Sequence, residues 1–237
     1  MLAGKIIYRH QEYAVYQNDN KECMRVFFDL LDDGKPYAVT RFDMGKRQIR
    51  ILYLEEKEKY FSEWNNSFFH IGLEQILLYE KRFVLHASCV QTPLGGIMFS
   101  GVSGVGKSTQ AELWCRYEKG RLINGDRPII GNENNQWKAY GSPYAGSSRC
   151  YRNESCLIRT VVMLEQAEAN SIRKLSASEA FRRMFAGTTV NIWDSEFLNQ
   201  VCNLEMEFVQ QIPIYELRCT PDQNAVRLLW KTLEGGM

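Results

Sequence analysis

The chain has 237 residues, 45% of them hydrophobic, which is enough for one sizeable core or two small ones. Its 29 basic and 28 acidic side chains give a formal net charge of +1, so overall charge does not favour nucleic acid or an anionic membrane as a partner. The seven cysteines are scattered without a C-x-x-C pair, so we expect reduced thiols. The start has no apolar leader-like stretch, and no apolar run reaches the ~18 residues of a membrane span. We therefore expect a cytoplasmic protein.

Residues 1–81 are predicted to form a β-rich N-terminal elaboration that ends in helix. Four runs are rich in β-branched and aromatic residues, as strands are, and they cover 12–18, 24–30, 37–43 and 47–54. Segment 55–81 then spaces its aromatic and leucine side chains as one or two helices would. We expect this region to pack on a core formed by residues 82–237.

Strands and helices follow one another in the predicted core. Residues 82–90 (RFVLHASCV) and 95–101 (GGIMFSG) are short apolar runs joined by a hairpin-like connection. Further strands are predicted at 121–126, 136–141, 157–166 and 214–219, and further helices at 107–120, 176–187, 193–211 and 220–236. Ser176 and Glu179 have the spacing of a capping box at the start of one of these helices.

The segment GVSGVGKST, residues 101–109, has the spacing G-x-x-x-x-G-K-[ST] of a phosphate-binding loop. Glycine lets the backbone approach an anion, so that N–H groups and the N-terminus of the next helix point at phosphate oxygens. Lys107 can reach the β- and γ-phosphates, and the Ser108 hydroxyl can ligate Mg²⁺. The apolar strand before the loop and the helix after it supply the required context. We expect the nucleotide to be bound by Gly101, Ser103, Gly104, Val105, Gly106, Lys107, Ser108 and Thr109.

Asp126 and His86 are the candidates for chemistry beyond the loop. Asp126 ends an apolar strand, RLINGD, and could hold Mg²⁺ with Ser108 or accept the proton of an attacking hydroxyl; it could also be an ordinary turn residue. His86 lies in an apolar strand next to the one that enters the loop, where it could face the γ-phosphate or the acceptor, or be a core histidine. Both are assigned here, with Lys107, as catalytic residues.

Residues 140–149 (YGSPYAGSSR) are rich in small side chains and follow a strand, as an acceptor-binding loop or a surface loop does. Arg127 and Arg149 are candidate phosphate clamps, because guanidinium groups suit phosphoryl oxygens. Most arginines are simply solvated, so these two assignments depend on where the fold puts them.

Four segments together resemble the HPr kinase-like branch of phosphate-loop proteins, whose fold is similar to that of the phosphoenolpyruvate carboxykinases. They are LHAS, GIMFSGVSGVGKSTQAELW, LINGDRPII and GSPYAGSS, and the resemblance covers about residues 82–165. It implies an α/β protein with a mixed sheet and flanking helices, to which the N-terminal strands are added. It also implies ATP and Mg²⁺ as cofactors and transfer of a phosphoryl group to a serine-like hydroxyl.

The resemblance is incomplete in one place that bears on chemistry. The family has a histidine on the strand before the loop, which His86 matches, and an acidic pair on the strand after it. Gly125 stands at the first position of that pair and Asp126 at the second. No counterpart is found for the segment that follows the catalytic core in HPr kinases, so HPr is not expected to be the acceptor.

The leading hypothesis is therefore an ATP-dependent kinase acting on a hydroxyl of a peptide, a protein or a small molecule. One alternative is a nucleotide-binding sensor or scaffold without transfer, which the glycine at position 125 would explain. Another is an enzyme like the phosphoenolpyruvate carboxykinases, acting on a small dicarboxylic acid. The sequence leaves the acceptor and a homo-oligomeric state open.

Overall fold

The computed structural model describes residues 4–43, 48–62, 64–144, 146–150 and 152–235. The chain forms two compact units: Met1–Ile76 with Asn191–Ser195, and Leu77–Val190 with Glu196–Met237. The domain boundary predicted between residues 81 and 82 stays a prediction, because compactness does not show whether either part folds alone.

The first unit is an antiparallel sheet covered by helix. Its five strands lie in chain order, each paired with the next: β1 (Lys5–Arg9), β2 (Tyr13–Gln17), β3 (Cys23–Asp29), β4 (Lys35–Asp43) and β5 (Gln48–Tyr53). A 3₁₀ segment (Glu55–Phe61) and two short helices follow, α1 (Trp64–Ile71) and α2 (Leu73–Tyr79). The four strands predicted here are confirmed, and β1 is an additional one.

Aromatic side chains fix α1 on the sheet. Phe27 of β3 is fully buried, and its ring centroid lies 5.5 Å from that of Phe69 and 4.5 Å from that of His70. The Tyr37 hydroxyl is 2.6 Å from His70 Nε2, so the imidazole is hydrogen-bonded inside the unit. Buried polar groups need such partners, and His70 therefore has a structural role here.

The second unit is a mixed sheet flanked by helices, so the predicted α/β class is confirmed. Its strands are β6 (Arg82–Val84), β7 (Ala87–Thr92), β8 (Gly95–Ser100), β9 (Arg121–Asn124), β10 (Ile129–Glu133), β11 (Gln136–Tyr140), β12 (Ser155–Gln166), β13 (Ser171–Lys174) and β14 (Ile214–Cys219). The order is β6-β10-β11-β12-β8-β7-β9, with β14 between β12 and β13. β8 is parallel to β12 and antiparallel to β7, and β12 is also parallel to β14.

Both faces of this sheet are buried, and the central strands show it in their sequences. Along β12, Val161 and Met163 pack in one core while Val162 and Leu164 pack in the other. Successive strand residues point to opposite faces, so a continuous apolar run serves two cores. One core includes side chains of α3 (Lys107–Tyr117) and α6 (Gln223–Glu234); the other includes side chains of α4 (Ala177–Phe185) and α5 (Ser195–Gln211).

The strand predicted over residues 82–90 is interrupted at its centre, which corrects the sequence prediction. β6 pairs with β10, whereas β7 pairs with β8 and β9. Between them, Leu85 N–H donates to Pro128 O and His86 N–H donates to Gly187 O. The backbone changes partners at this point, and His86 lies in the break.

Candidate functional site

The glycine-rich loop of residues 101–106 joins β8 to α3, which is the strand–loop–helix context that the phosphate-loop motif requires. Gly106 is the N-cap of α3 with φ +108°, a conformation that glycine adopts without strain, and no side chain caps the helix. A Cβ atom built on Gly106 or Gly104 would meet nothing within 4 Å. The first N–H groups of α3 therefore have no side-chain cap, and the backbone at these glycines can be approached closely. Such a helix start is suited to an anion.

Lys107 is the first residue of α3 and is nearly buried, with 8% of its surface exposed. Its Nζ donates to the carbonyl oxygens of Gly101, at 3.2 Å, and Val102, at 3.1 Å. Burial lowers the pKa of Lys107, and the negative charge of Asp126 opposes that shift. The ammonium group thus lies across the loop, within the electrostatic reach of Asp126.

Asp126 and His86 form a pair, with 3.3 Å between Asp126 Oδ1 and His86 Nε2. The hydrogen bond from His86 is the largest influence on the pKa of Asp126 and lowers it; together with the charge of Arg127 it outweighs the effect of burial. Asp126 is therefore a carboxylate at neutral pH. About a quarter of each side chain is exposed, 27% for Asp126 and 25% for His86, so both can meet a ligand.

A buried asparagine that the sequence analysis missed builds the turn that carries Asp126. Asn124 is fully buried at the end of β9, and its Oδ1 accepts hydrogen bonds from the backbone N–H groups of Asp126 and Arg127. These bonds end the strand at residue 124, so Asp126 lies in a turn and not at the strand end predicted. Asn124 Nδ2 also donates to the backbone oxygens of Ser142 and Tyr144. One side chain therefore positions both the acid and the small-residue loop.

The loop of residues 140–149, which the structure describes except for Ala145, lies directly against Asp126. Gly146 has φ +56°, and a Cβ there would approach Asp126 Cβ to 2.8 Å. A side chain at position 146 would therefore displace the carboxyl group. Arg127 faces Asp126, with 3.7 Å from Nε to Oδ2, and bonds Thr189; Arg149 is exposed and has no ion pair among the described residues.

The glycine-rich loop, the His86–Asp126 pair and Gly146 line one cavity of about 330 Å³, here called the loop cavity. Six of the eight predicted nucleotide-binding residues line it, as do the other two catalytic candidates and the two neighbouring glycines: Ser103, Gly104, Gly106, Lys107, Ser108, Thr109, His86, Asp126, Gly125 and Gly146. Two predicted nucleotide-binding residues lie elsewhere. Val105 packs against the core that contains side chains of α3 and α6, and Gly101 lines a second cavity.

That second cavity, here called the arginine cavity, has a volume of about 690 Å³. It shares His86 and Ser103 with the loop cavity and extends over β12 to α4, where Arg182 and Arg183 line it. No sequence pattern predicts this cavity, because its walls come from segments far apart in the chain.

The residues present suit a magnesium ion that is held partly by phosphate. Among the described residues no group of three His, Cys, Asp or Glu side chains could hold a metal by itself. Asp126 and Ser108 both line the loop cavity, and Mg²⁺ commonly binds through one or two protein oxygens together with substrate phosphates and water. Gly125 adds no second carboxylate; its carbonyl accepts a hydrogen bond from Ser88 Oγ at 2.9 Å.

No helix in the described part of the chain has the length and apolar character needed to cross a membrane. No protein-family model matches the sequence, and no curated protein is similar to it. Among solved structures, the chain is similar to the HPr(Ser) kinase/phosphatase from Coxiella burnetii, with 14% identity and a TM-score of 0.37 over 65% of this chain and 88% of that one. At this TM-score the similarity carries no weight for function, and membership of the family stays a prediction.

Proposed function

We propose that this protein is an ATP-dependent kinase that phosphorylates a hydroxyl group of a peptide, a protein or a small molecule. The observation that carries the proposal is the loop cavity itself, in which Lys107, Ser108 and the His86–Asp126 pair meet. Phosphoryl transfer needs positioning, charge neutralisation and a group that takes the acceptor's proton, and these residue types supply all three.

Each residue has a role that follows from its place. The loop N–H groups and Lys107 bind the phosphates, while Ser108 and Asp126 hold Mg²⁺. ATP supplies the phosphoryl group when it is bound, and the metal ion offsets the charge of its phosphates. The acceptor hydroxyl forms the new P–O bond and gives its proton to His86 or Asp126, and the bond to the ADP oxygen breaks with its electron pair on ADP.

The experiment is incubation with γ-labelled ATP, Mg²⁺ and a pool of serine, serine-containing peptides and cell extract. We expect a labelled acceptor with the wild-type protein and at least a roughly 100-fold lower rate with Lys107→Ala, because one preorganised positive group is worth that much in transfer reactions. Lys231→Ala, an exposed lysine on α6, is the matched control and should transfer at the wild-type rate.

Asp126→Asn separates catalysis from binding. We expect kcat to fall by about 10²–10⁴-fold, as for loss of a proton-transfer or metal-binding carboxylate, while calorimetry shows ATP affinity changed by less than about tenfold. Asp19→Asn, at an exposed position, is the control. Full transfer by Asp126→Asn would refute the role of this carboxylate.

A nucleotide-binding module without transfer is the second candidate, and Gly125 is the observation that favours it. The loop cavity contains one carboxylate where the resembling family has two. Tight binding of ATP with no labelled product from any acceptor would establish this alternative.

A further inference from the structure

The last strand of the first unit, β5, leaves one edge of its sheet open, and we call this surface the β5 edge. β5 pairs with β4 and with no other described strand. Leu54 N–H donates to Tyr37 O, and the register between β4 and β5 carries this alternation along both strands. In an antiparallel pair, every second residue turns its backbone groups away from the partner strand. The N–H groups of Ile49, Ile51 and Tyr53 therefore lie at the open edge, where none has a partner among the described residues.

Two arginines lie opposite each other at the β5 edge. Arg41 of β4 and Arg50 of β5 are direct partners in the register, so their side chains share one face of the sheet. Thr40, next to Arg41, donates to the His70 carbonyl of α1, so both arginines point to the face turned away from α1. Both are exposed, and neither has an ion pair among the described residues, Asp43 on the same face included. Like charges in this arrangement repel each other unless an acid compensates them.

Apolar side chains continue the same face. Val39 and Leu52 are direct partners in the register and lie two positions along their strands from the arginines. Leu52 is 64% exposed, and Tyr53 and Leu54 after it are each 46% exposed. Three consecutive exposed apolar side chains at an open strand edge are a surface suited to a partner. The β5 edge thus presents a pair of cations beside a pair of aliphatic side chains.

The charges of the β5 edge indicate which partner fits. A strand that pairs with β5 places every second side chain on this face, so the residues beside Arg50 and Leu52 are two positions apart. An acidic side chain suits the first position and an apolar one the second. A second copy of the chain lacks this pattern in its own open edges, because β1 (KIIYR) and β5 (QIRILY) contain no acid. Nucleic acid needs cations along its row of phosphates, whereas here the arginines are followed by aliphatic residues.

We propose that the β5 edge binds an extended peptide segment of a partner protein, in which an aspartate or glutamate lies two positions from an aliphatic residue. The outward backbone groups of β5 supply affinity by pairing with the peptide, and Arg50 and Leu52 supply specificity. Arg41, opposite Arg50, adds to the positive charge that the acid meets. Such docking is a property of the first unit and does not require the kinase activity proposed above.

The first test selects peptides from a random library displayed on phage, with the full-length protein immobilised. We expect enrichment of sequences with an acid two positions from Val, Ile or Leu. Fluorescence anisotropy then measures the affinity of a labelled synthetic copy of the most enriched peptide. The double variant Arg41→Gln/Arg50→Gln should bind this peptide about fivefold more weakly, the effect expected for exposed charge pairs. Arg9→Gln changes an exposed arginine on the opposite edge strand and should leave the affinity unchanged.

The second test follows amide hydrogen exchange by NMR. When roughly nine-tenths of the protein has bound peptide, exchange of the Ile49, Ile51 and Tyr53 amides should slow about tenfold, because it then requires release of the peptide. Selected peptides without an acid, no enrichment relative to the double variant, or unchanged exchange of these three amides would overturn the proposal. Protection that appears without peptide as the protein concentration rises would also overturn it, since a second copy would then be the occupant. So would binding of a short single-stranded DNA that displaces the peptide and is lost in the double variant.

Discussion

At the scale of single residues, the candidate site depends on polar side chains that are buried in the fold. Asn124 shows this most clearly, since its buried amide has hydrogen bonds to two turns at once. The sequence contains the signal, because Asn followed by Gly-Asp is typical of a turn whose asparagine side chain bonds the backbone ahead of it. The sequence does not show the other partners of Asn124, the backbone oxygens of Ser142 and Tyr144, which lie about 20 residues further along the chain.

Glu205, on α5, is another buried group that the sequence analysis did not single out. It is fully buried, and its carboxyl is 3.3 Å from Thr188 Oγ1. Burial raises the pKa of Glu205 from 4.5 to about 8, against a smaller opposing effect of Thr188. The folded protein therefore keeps this proton at pH values where the unfolded chain has lost it.

Folding stability should consequently fall as pH rises from about 4.5 to 8, because the native state binds more protons than the unfolded state in that window. Glu205→Gln should flatten this dependence, removing on the order of 3 kcal/mol of the change in the free energy of unfolding between pH 5 and pH 8. Urea denaturation at the two pH values measures it, with the exposed Glu207→Gln on the same helix as control. Equal slopes for the wild type and Glu205→Gln would contradict the prediction.

At the scale of elements, the capping box at the start of α4 was predicted and is confirmed. Ser176 Oγ accepts from the Glu179 N–H, and the Glu179 side chain accepts from the Ser176 N–H. Such a box depends on residues three apart in the chain, so local sequence specifies it. The helix that it begins lines the arginine cavity through Glu179, Arg182 and Arg183.

Ser176→Ala should lower the free energy of unfolding by about 1 kcal/mol, the usual loss for an N-cap serine. The companion variant Ser178→Ala changes an exposed serine two residues later and should have little effect. Urea denaturation of both variants checks the difference. Equal losses in the free energy of unfolding for Ser176→Ala and Ser178→Ala would contradict a stabilising role of the capping hydrogen bonds.

At the scale of the whole molecule, the chain crosses between its two compact units more than once. Residues 191–195 belong to the first unit although they lie between α4 and α5, and Arg25 Nη2 donates to Asn191 Oδ1 at 2.8 Å. Conversely, Leu77 and Leu78 of α2 belong to the second unit, where Leu78 packs in the core. A boundary drawn at residue 82 therefore removes part of that core.

We expect a fragment of residues 82–237 to melt at a lower temperature than one of residues 77–237. The loss of the two buried leucines corresponds to roughly 5–15 °C for a unit of this size, because deleting a buried leucine side chain costs a few kcal/mol. Thermal unfolding followed by circular dichroism compares the two fragments. Identical melting temperatures would show that these leucines add nothing to the second unit.

The sequence by itself determined what is local: the glycine-rich loop with the spacing of a phosphate loop, the helix that follows it, the capping box and the apolar strands. These depend on residues within a few positions of each other, or on the period of one element. Tertiary structure decided the rest. His86 meets Asp126 because the backbone changes strand partners at residues 85–86, and the arginine cavity exists because β8, β12 and α4 converge there. Such contacts depend on which strands pair and which helices cover them, and no short-range pattern in the chain encodes that choice.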